Sequence, residues 1–580
     1  MTDPISMLPP IRDGLAPGDR RHEELVRERF GRLMRAYPSF ATFLGIHSED
    51  GRLADLSRDA RMRELDAERR FLADVEGLDE AQMSDAGRLE RELSIASAMR
   101  AIFDSETHRV WERRAGACDE IGDGLFLLFA RDFAPLDERL RSMTARLEGA
   151  SQAIEQTKSR IGDRPVRLWN ELELDAAATL PSLFDEIVSA GRGAFGHGAE
   201  QRRLERAVGE AKAALEGYST WLRELIGRST DDFALGRDAY DELISLRSFD
   251  GLTTDEILEI GEEQLASNHE ARRAAAREED PEASEEEVLD RIKSDHPGSF
   301  EEALDGYRDV MFRARDFVTE RRLATVPPEE LSVVPTPEYL RRVMPFAAYF
   351  SPAKFDRDAR GIYIVTPSVG NEPGAMREHN WASISNTSIH EAYPGHHQQL
   401  SAAMAHPSLA RLLIDAPEFV EGWGMYCEQM MREEGFDASP RHRVIMYTDA
   451  IWRACRIILD IRLHRGEIGV DEAIDFLVAH SGFERPNATA EVHRYTYTPT
   501  YQLSYLLGKV LLLRLREDER KRLGADFSLQ RFHDALLYSG SLPISFHRRL
   551  LAGEGGGSTL PSANATAPSM PAGIAARPNA

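Results

Sequence analysis

Along most of the first 300 positions, apolar residues recur at steps of three and four, with Glu, Arg and Ala between them. The stretches 53–78, 86–114, 136–162 and 200–226 show this most clearly. Such steps return to one face of a helix, so the pattern predicts amphipathic helices with Gly and Pro mostly at their ends. No fixed-period repeat is present. Positions 278–287 are strongly acidic, with Pro281 and Ser284, and are read as a solvated loop and helix start. Between 331 and 367 the pattern changes. Leu331-Ser332-Val333-Val334-Pro335, Phe346-Ala347-Ala348-Tyr349-Phe350 and Gly361-Ile362-Tyr363-Ile364-Val365-Thr366-Pro367 are short β-branched or aromatic runs bounded by Gly and Pro. They predict a few strands, with 356–361 as a hairpin turn. A small sheet there would offer an edge to an extended substrate. Helical patterning returns after 380.

The chain has 580 residues, 42% of them hydrophobic, enough for a large core. No long Gly/Ser/Pro linker interrupts residues 20–552, which are expected to form a single large catalytic unit. Residues 1–19 are expected to be a flexible tail. The Gly-, Pro-, Ala- and Ser-rich 553–580 are expected to be a disordered one. A net charge of −26 repels phosphate backbones and anionic lipid, so neither nucleic acid nor membrane is an expected partner. Three cysteines (Cys118, Cys427 and Cys455) are too few for a disulfide framework. The first residues lack a basic cluster and an apolar run, and no segment approaches about 18 uninterrupted apolar residues. A cytoplasmic location is expected.

The chemistry concentrates in His390-Glu391-Ala392-Tyr393-Pro394-Gly395-His396-His397. Two imidazoles and a distant carboxylate make a ligand set for a catalytic zinc with one open position. The carboxylate after the first His can serve as general base for the attacking water. In a straight helix, however, i to i+6 turns through about 600°, and i to i+7 spans about 10.5 Å. Neither His396 nor His397 then joins His390 on one metal without a distortion, which a bulge or kink at Pro394-Gly395 would supply. The plainer reading is a helix start, with Ser388 and Glu391 as a capping box.

A third ligand is sought in Phe419-Val420-Glu421-Gly422-Trp423-Gly424. Pro417 suits the first position of a helix, on which Glu421, Gly424 and Glu428 share a face beside the apolar stripe Val420, Trp423, Cys427 and Met431. Glu421 as ligand and Glu428 as its supporting partner fit that face. A solvent-facing Glu428 and a dipole-capping Glu421 are the alternatives. Downstream, Thr498 and Pro499 read as a helix cap and first turn, after which Tyr501 and Tyr505 share a face with Gly508. A phenol there can donate to a developing oxyanion, although aromatic stripes at helical spacing are more often core. Arg453, Arg456, Asp460 and His464 form a polar stripe on an apolar helix, read as a solvated face or a cleft wall. Arg494, next to Tyr495, is read as a holder of a substrate carboxylate or as half of an ion pair.

On these residues the chain resembles the bacterial family catalogued as domain of unknown function 885, over about residues 20–550. The resemblance rests on the 390–397 motif, on Glu421-Gly422-Trp423-Gly424-Met425-Tyr426-Cys427-Glu428, and on Arg494-Tyr495 with Pro499 and Ser504-Tyr505. Many members read Pro-Gly-Gln where this chain has Pro499-Thr500-Tyr501. That family is similar to helical zinc peptidases of the thermostable carboxypeptidase, thimet oligopeptidase and angiotensin-converting enzyme types. The likeness implies a mainly α, two-lobed zincin-like fold with a deep central cleft and a small β-sheet at its wall. It also implies one Zn2+ per chain on His390, His396 and Glu421, with His397 as alternative ligand or substrate contact and Glu391 as general base. Tyr501 and Tyr505 are the expected oxyanion donors, and Glu428, Arg494 and Tyr495 the expected supporting or substrate contacts. The implied activity is hydrolysis of short peptides. The alternatives are a zinc hydrolase of a non-peptide amide or ester, and a catalytically silent helical binding protein.

Overall fold

The computed structural model describes residues 4–336, 341, 347–356, 360–367 and 375–554. The expected helices form close to their predicted limits, as Arg58–Glu76, Leu136–Arg160 and Ala199–Gly227. The pattern over 86–114 divides into Asp85–Phe103, a π-helical turn and a short helix Val110–Arg113. The acidic stretch acts as read: Ser284 caps the helix Glu285–Ser294, its side chain accepting from the Glu287 N–H while Glu287 returns a bond to the Ser284 N–H. At the N-terminus, Pro4–Met7 forms a 3-10 turn and a helix begins at Pro17. Most of the expected C-terminal tail lies outside the described residues.

Three strands form one sheet in the order β1-β3-β2, where β1 is Glu330–Pro335, β2 is Ala347–Phe350 and β3 is Arg360–Val365. β2 runs antiparallel to β3, as the hairpin reading requires, and β1 runs parallel to it. Positions 357–359 of the expected turn lie outside the described residues. The protein is thus mainly helical with one small sheet. Its largest core draws on residues from Tyr240 to Ile544, and a separate core lies between Ala115 and Leu225. No helix among the described residues is long and apolar enough to cross a membrane.

The segment after β2 is clasped by the N-terminal helices. His47 bonds Asp50 through Nδ1 and Asp356 through Nε2, each at 2.8 Å, and its ring stacks on Phe133. Burial lowers the affinity of this imidazole for its proton, but the hydrogen bonds to Asp356 and Asp50 outweigh that and raise its pKa to about 9. The stabilisation is therefore complete below the unfolded pKa of about 6.5 and is lost as pH rises through about 9. With its partial exposure, the clasp contributes about 1–2 kcal/mol. His47→Gln should lower the apparent Tm by a few degrees at pH 6.5, with the gap closing at pH 9.5. Equal gaps at both values would show the charge to be irrelevant.

Candidate metal centre

The 390–397 motif forms two helices, not one kinked or bulged helix. The first, Trp381–Glu391, begins at Asn380, whose side chain accepts from the Ser383 N–H. Ser388 and Glu391 therefore lie in its last turn, which overturns their reading as a capping box at a helix start. The helix stops after Glu391 because Pro394 has no N–H for the carbonyl of His390. The second helix is His396–Met404. Trp423 holds the link between them by donating from Nε1 to the Pro394 carbonyl at 2.8 Å. Gly395 is required there, since a Cβ would lie 1.9 Å from the His390 carbonyl oxygen.

Pro417 opens the helix Pro417–Glu433 as expected. Glu421, Gly424 and Glu428 all face His390. Nε2 of His390 and Nε2 of His396 lie 3.7 and 3.3 Å from Oε2 of Glu421, and the two rings stand 4.7 Å apart and nearly perpendicular. Nδ1 of His390 donates to Oε1 of Glu428 at 2.8 Å. Gly424 lets the helix approach this closely, because a Cβ there would sit 2.6 Å from the His390 ring. His390, His396 and Glu421 form a group whose ligand-type atoms all lie within 4.8 Å of one another. Ligand atoms about 2.0–2.1 Å from a tetrahedral zinc stand roughly 3.3 Å apart, so the set fits that ion. Burial opposes protonation of His390, but hydrogen bonds to Glu421 and Glu428 prevail and raise its pKa to about 10. Burial would likewise raise Glu421, yet its contacts with His390 and His396 hold it well below the usual carboxylate range.

The solvent-facing reading of Glu428 is overturned: it is buried and also accepts from Asn386 at 2.9 Å. Asn386 bonds Asp449 at 2.8 Å as well. Neither Asn386 nor Asp449 stood out in the sequence. Asn386 lies one turn before His390 on the same face, and Asp449 one turn before Arg453, so extending each helical face backward would have found both.

His397 is not part of the convergent set. Tyr349 of β2 donates to its Nδ1 and its Nε2–H donates to the Glu329 carbonyl, both at 3.0 Å. Burial lowers its pKa to about 4, keeping the ring neutral. It pins the sheet to the start of the second helix. Glu391 is half-buried, and no side-chain hydrogen bond or ion pair engages it among the described residues. Its charge nonetheless acts on His390.

Tyr501 donates to Oε1 of Glu421 at 2.8 Å, and Tyr505 contacts the Tyr501 hydroxyl at 3.5 Å. They share a face as expected, but Thr498-Pro499 does not open their helix. A 3-10 turn over Tyr501–Leu503 leads into Ser504–Leu523, and Thr500 before it has φ +67°. Asp460 holds that strained residue, accepting from the Thr500 N–H at 2.7 Å and from the Tyr240 hydroxyl at 2.6 Å. The solvated reading of the 453–464 stripe is therefore overturned. Arg456, Asp460 and His464 are buried, and they position the Tyr495 and Tyr501 segments. Tyr495 is buried and donates to Glu491 at 2.7 Å, away from the imidazoles. Arg494 pairs with the same Glu491 at 3.0 Å.

Residues 38–551 match the model of a family described as "Bacterial protein of unknown function (DUF885)". The chain belongs to this family. Two solved structures similar to this DUF885 chain share its fold. One, from Shewanella oneidensis, is described as a "putative lipoprotein of unknown function". It is 22% identical, with TM-score 0.75, over 92% of this chain and 99% of that one. The other is a "putative lipoprotein from Colwellia psychrerythraea". It is 16% identical, with TM-score 0.79, over 93% and 99%. No curated protein matches.

Proposed function

We propose that this DUF885 protein is a zinc-dependent metallopeptidase that hydrolyses short peptides. The observation that carries this reading is the convergence of two imidazole Nε2 atoms on one oxygen of Glu421, with Glu428 fixing the far side of His390. His390, His396 and Glu421 would hold the ion. Zinc, when bound, supplies a Lewis acid for the scissile carbonyl and for water. Glu428 accepts from the Nδ1–H of His390 and so would hold that ring with Nε2 toward the ion.

Glu391, adjacent to the first imidazole and uncommitted, takes a proton from the attacking water and returns it to the departing amine. Tyr501 orients Glu421 by donating to it, and the long 3.5 Å contact of Tyr505 with the Tyr501 hydroxyl leaves the Tyr505 O–H to turn toward the oxygen that gains charge. The side chains of His390, His396 and Glu421 are 9, 10 and 13% exposed, so water and a small substrate have limited access. A two-lobed shape with a deep cleft, as in the helical zinc peptidases, belongs to the same proposal. So does a cytoplasmic setting, supported by three unpaired buried cysteines; fractionation of cells separates it from the lipoprotein description of the structural relatives.

A digest of a mixed short-peptide library tests the activity. Cleavage should stop with a chelator and return with zinc. A library left intact by zinc-loaded protein would contradict the peptidase reading.

A further inference from the structure

Three guanidinium groups gather on one side of the centre. Arg453 and Arg456 stack over Trp452 at 3.8 and 4.1 Å, and both stand over the Tyr505 ring, at 5.9 and 4.7 Å. Arg456 and Arg494 share a single carboxylate, Glu491, with contacts of 2.7 and 3.0 Å. The charges of Arg456 and Arg494 act on the same Tyr505 phenol as that of Glu421, with the opposite sign. Tyr505 then leads through Tyr501 to Glu421.

This cluster is short of acceptors. Arg453 touches Asp449 only at 3.5 Å, and its Nε is buried with no partner. Asp449 is already bound by Asn386. Arg494 engages Glu491 through one nitrogen and keeps 35% of its side chain exposed. Arginine carries five donors and no acceptor, and leaving buried donors unmatched costs free energy. Ion pairing within the protein uses few of these donors. The group that matches a guanidinium fork is a carboxylate.

We propose that Arg453 and Arg494, with Arg456 positioned behind them by Glu491 and Tyr495, form a carboxylate-binding subsite beside the His390–His396–Glu421 group. The contacts of Arg456 with the Tyr505 ring (4.7 Å), Tyr505 with Tyr501 (3.5 Å) and Tyr501 with Glu421 (2.8 Å) keep the Arg456 guanidinium within roughly two to three extended residues of the metal-ligand group. On the peptidase reading, which this inference deepens, the substrates are peptides that present a carboxylate two or three residues from the cleaved bond. That carboxylate is the chain terminus or an acidic side chain.

Binding tests this apart from cleavage. N-acetyl-Ala-Ala, its C-terminal amide, and the amide of N-acetyl-Glu-Ala are titrated calorimetrically into Glu391→Gln protein, with zinc and again with chelator. The free acid should bind at least tenfold more tightly than its amide in both conditions. Arg494→Gln and Arg453→Gln should each reduce that ratio to about threefold or less, with Arg453→Lys restoring part of it. Tight binding of the Glu-containing amide would make the side chain an accepted source of the carboxylate, and weak binding would restrict the site to the terminus. Both results support the subsite. Equal affinity of acid and amide, no binding of the acid at millimolar concentration, or a ratio that survives Arg494→Gln in folded protein would overturn it. A preference lost on chelation would place the carboxylate on the metal and overturn it also. Absence of hydrolysis alone would not, because these ligands need only bind.

Discussion

Glu391→Gln should lower turnover of a cleavable peptide by about 10²–10⁴-fold while zinc content and thermal stability stay near those of the parent. The amide keeps the shape of the side chain but cannot take a proton from water. Glu421 and Glu428 are each committed to imidazoles, and Glu428 to Asn386 as well. Glu391 alone of the three acids has no hydrogen-bonded or ion-paired partner among the described residues. Single-turnover rates on zinc-loaded protein, beside metal analysis of the same samples, measure the effect. An unchanged rate with zinc present would assign the base to another group. Loss of zinc would make Glu391 a ligand.

His396→Ala and His397→Ala should fail in different ways. His396 directs Nε2 at Glu421, so its removal should abolish most of the zinc binding with little change in fold. His397 has both ring nitrogens engaged, by Tyr349 of β2 and by the Glu329 carbonyl. Gly361 of β3 packs so closely that a Cβ there would meet Nδ1 of His397 at 2.6 Å. Its removal should cost about 1–3 kcal/mol through two lost buried hydrogen bonds and leave zinc in place. Metal content and thermal melts of the two variants separate these outcomes. Zinc retained by His396→Ala and lost by His397→Ala would reverse the assignment.

The helices were legible because three- and four-residue steps report one face directly, and Pro417 marked the helix that carries Glu421. The strands were legible from β-branched runs, although the parallel pairing of β1 with β3 depends on contacts that no local pattern encodes. The motif at 390–397 held two of the residues that converge in the structure, but spacing alone left His396 and His397 open. Their roles separate only once the break after Glu391 restarts the helix and aims one ring at Glu421 and the other at the sheet. The polar stripe from Arg453 to His464 misled because helical periodicity reports which residues share a face, not what covers it. Here the cover is the Arg485–Tyr495 helix and the turn at Thr500, which bury Arg456 and Asp460. Burial raises the pKa of Asp460 to about 7 even with Tyr240 and Thr500 bonded to it.

The most direct test is the zinc content of protein purified without chelator, compared with that of Glu421→Ala and His390→Ala. About one zinc per chain in the parent and little in either variant is the predicted result. A parent that stays metal-free after dialysis against zinc, or full occupancy in both variants, would contradict a centre built on His390, His396 and Glu421.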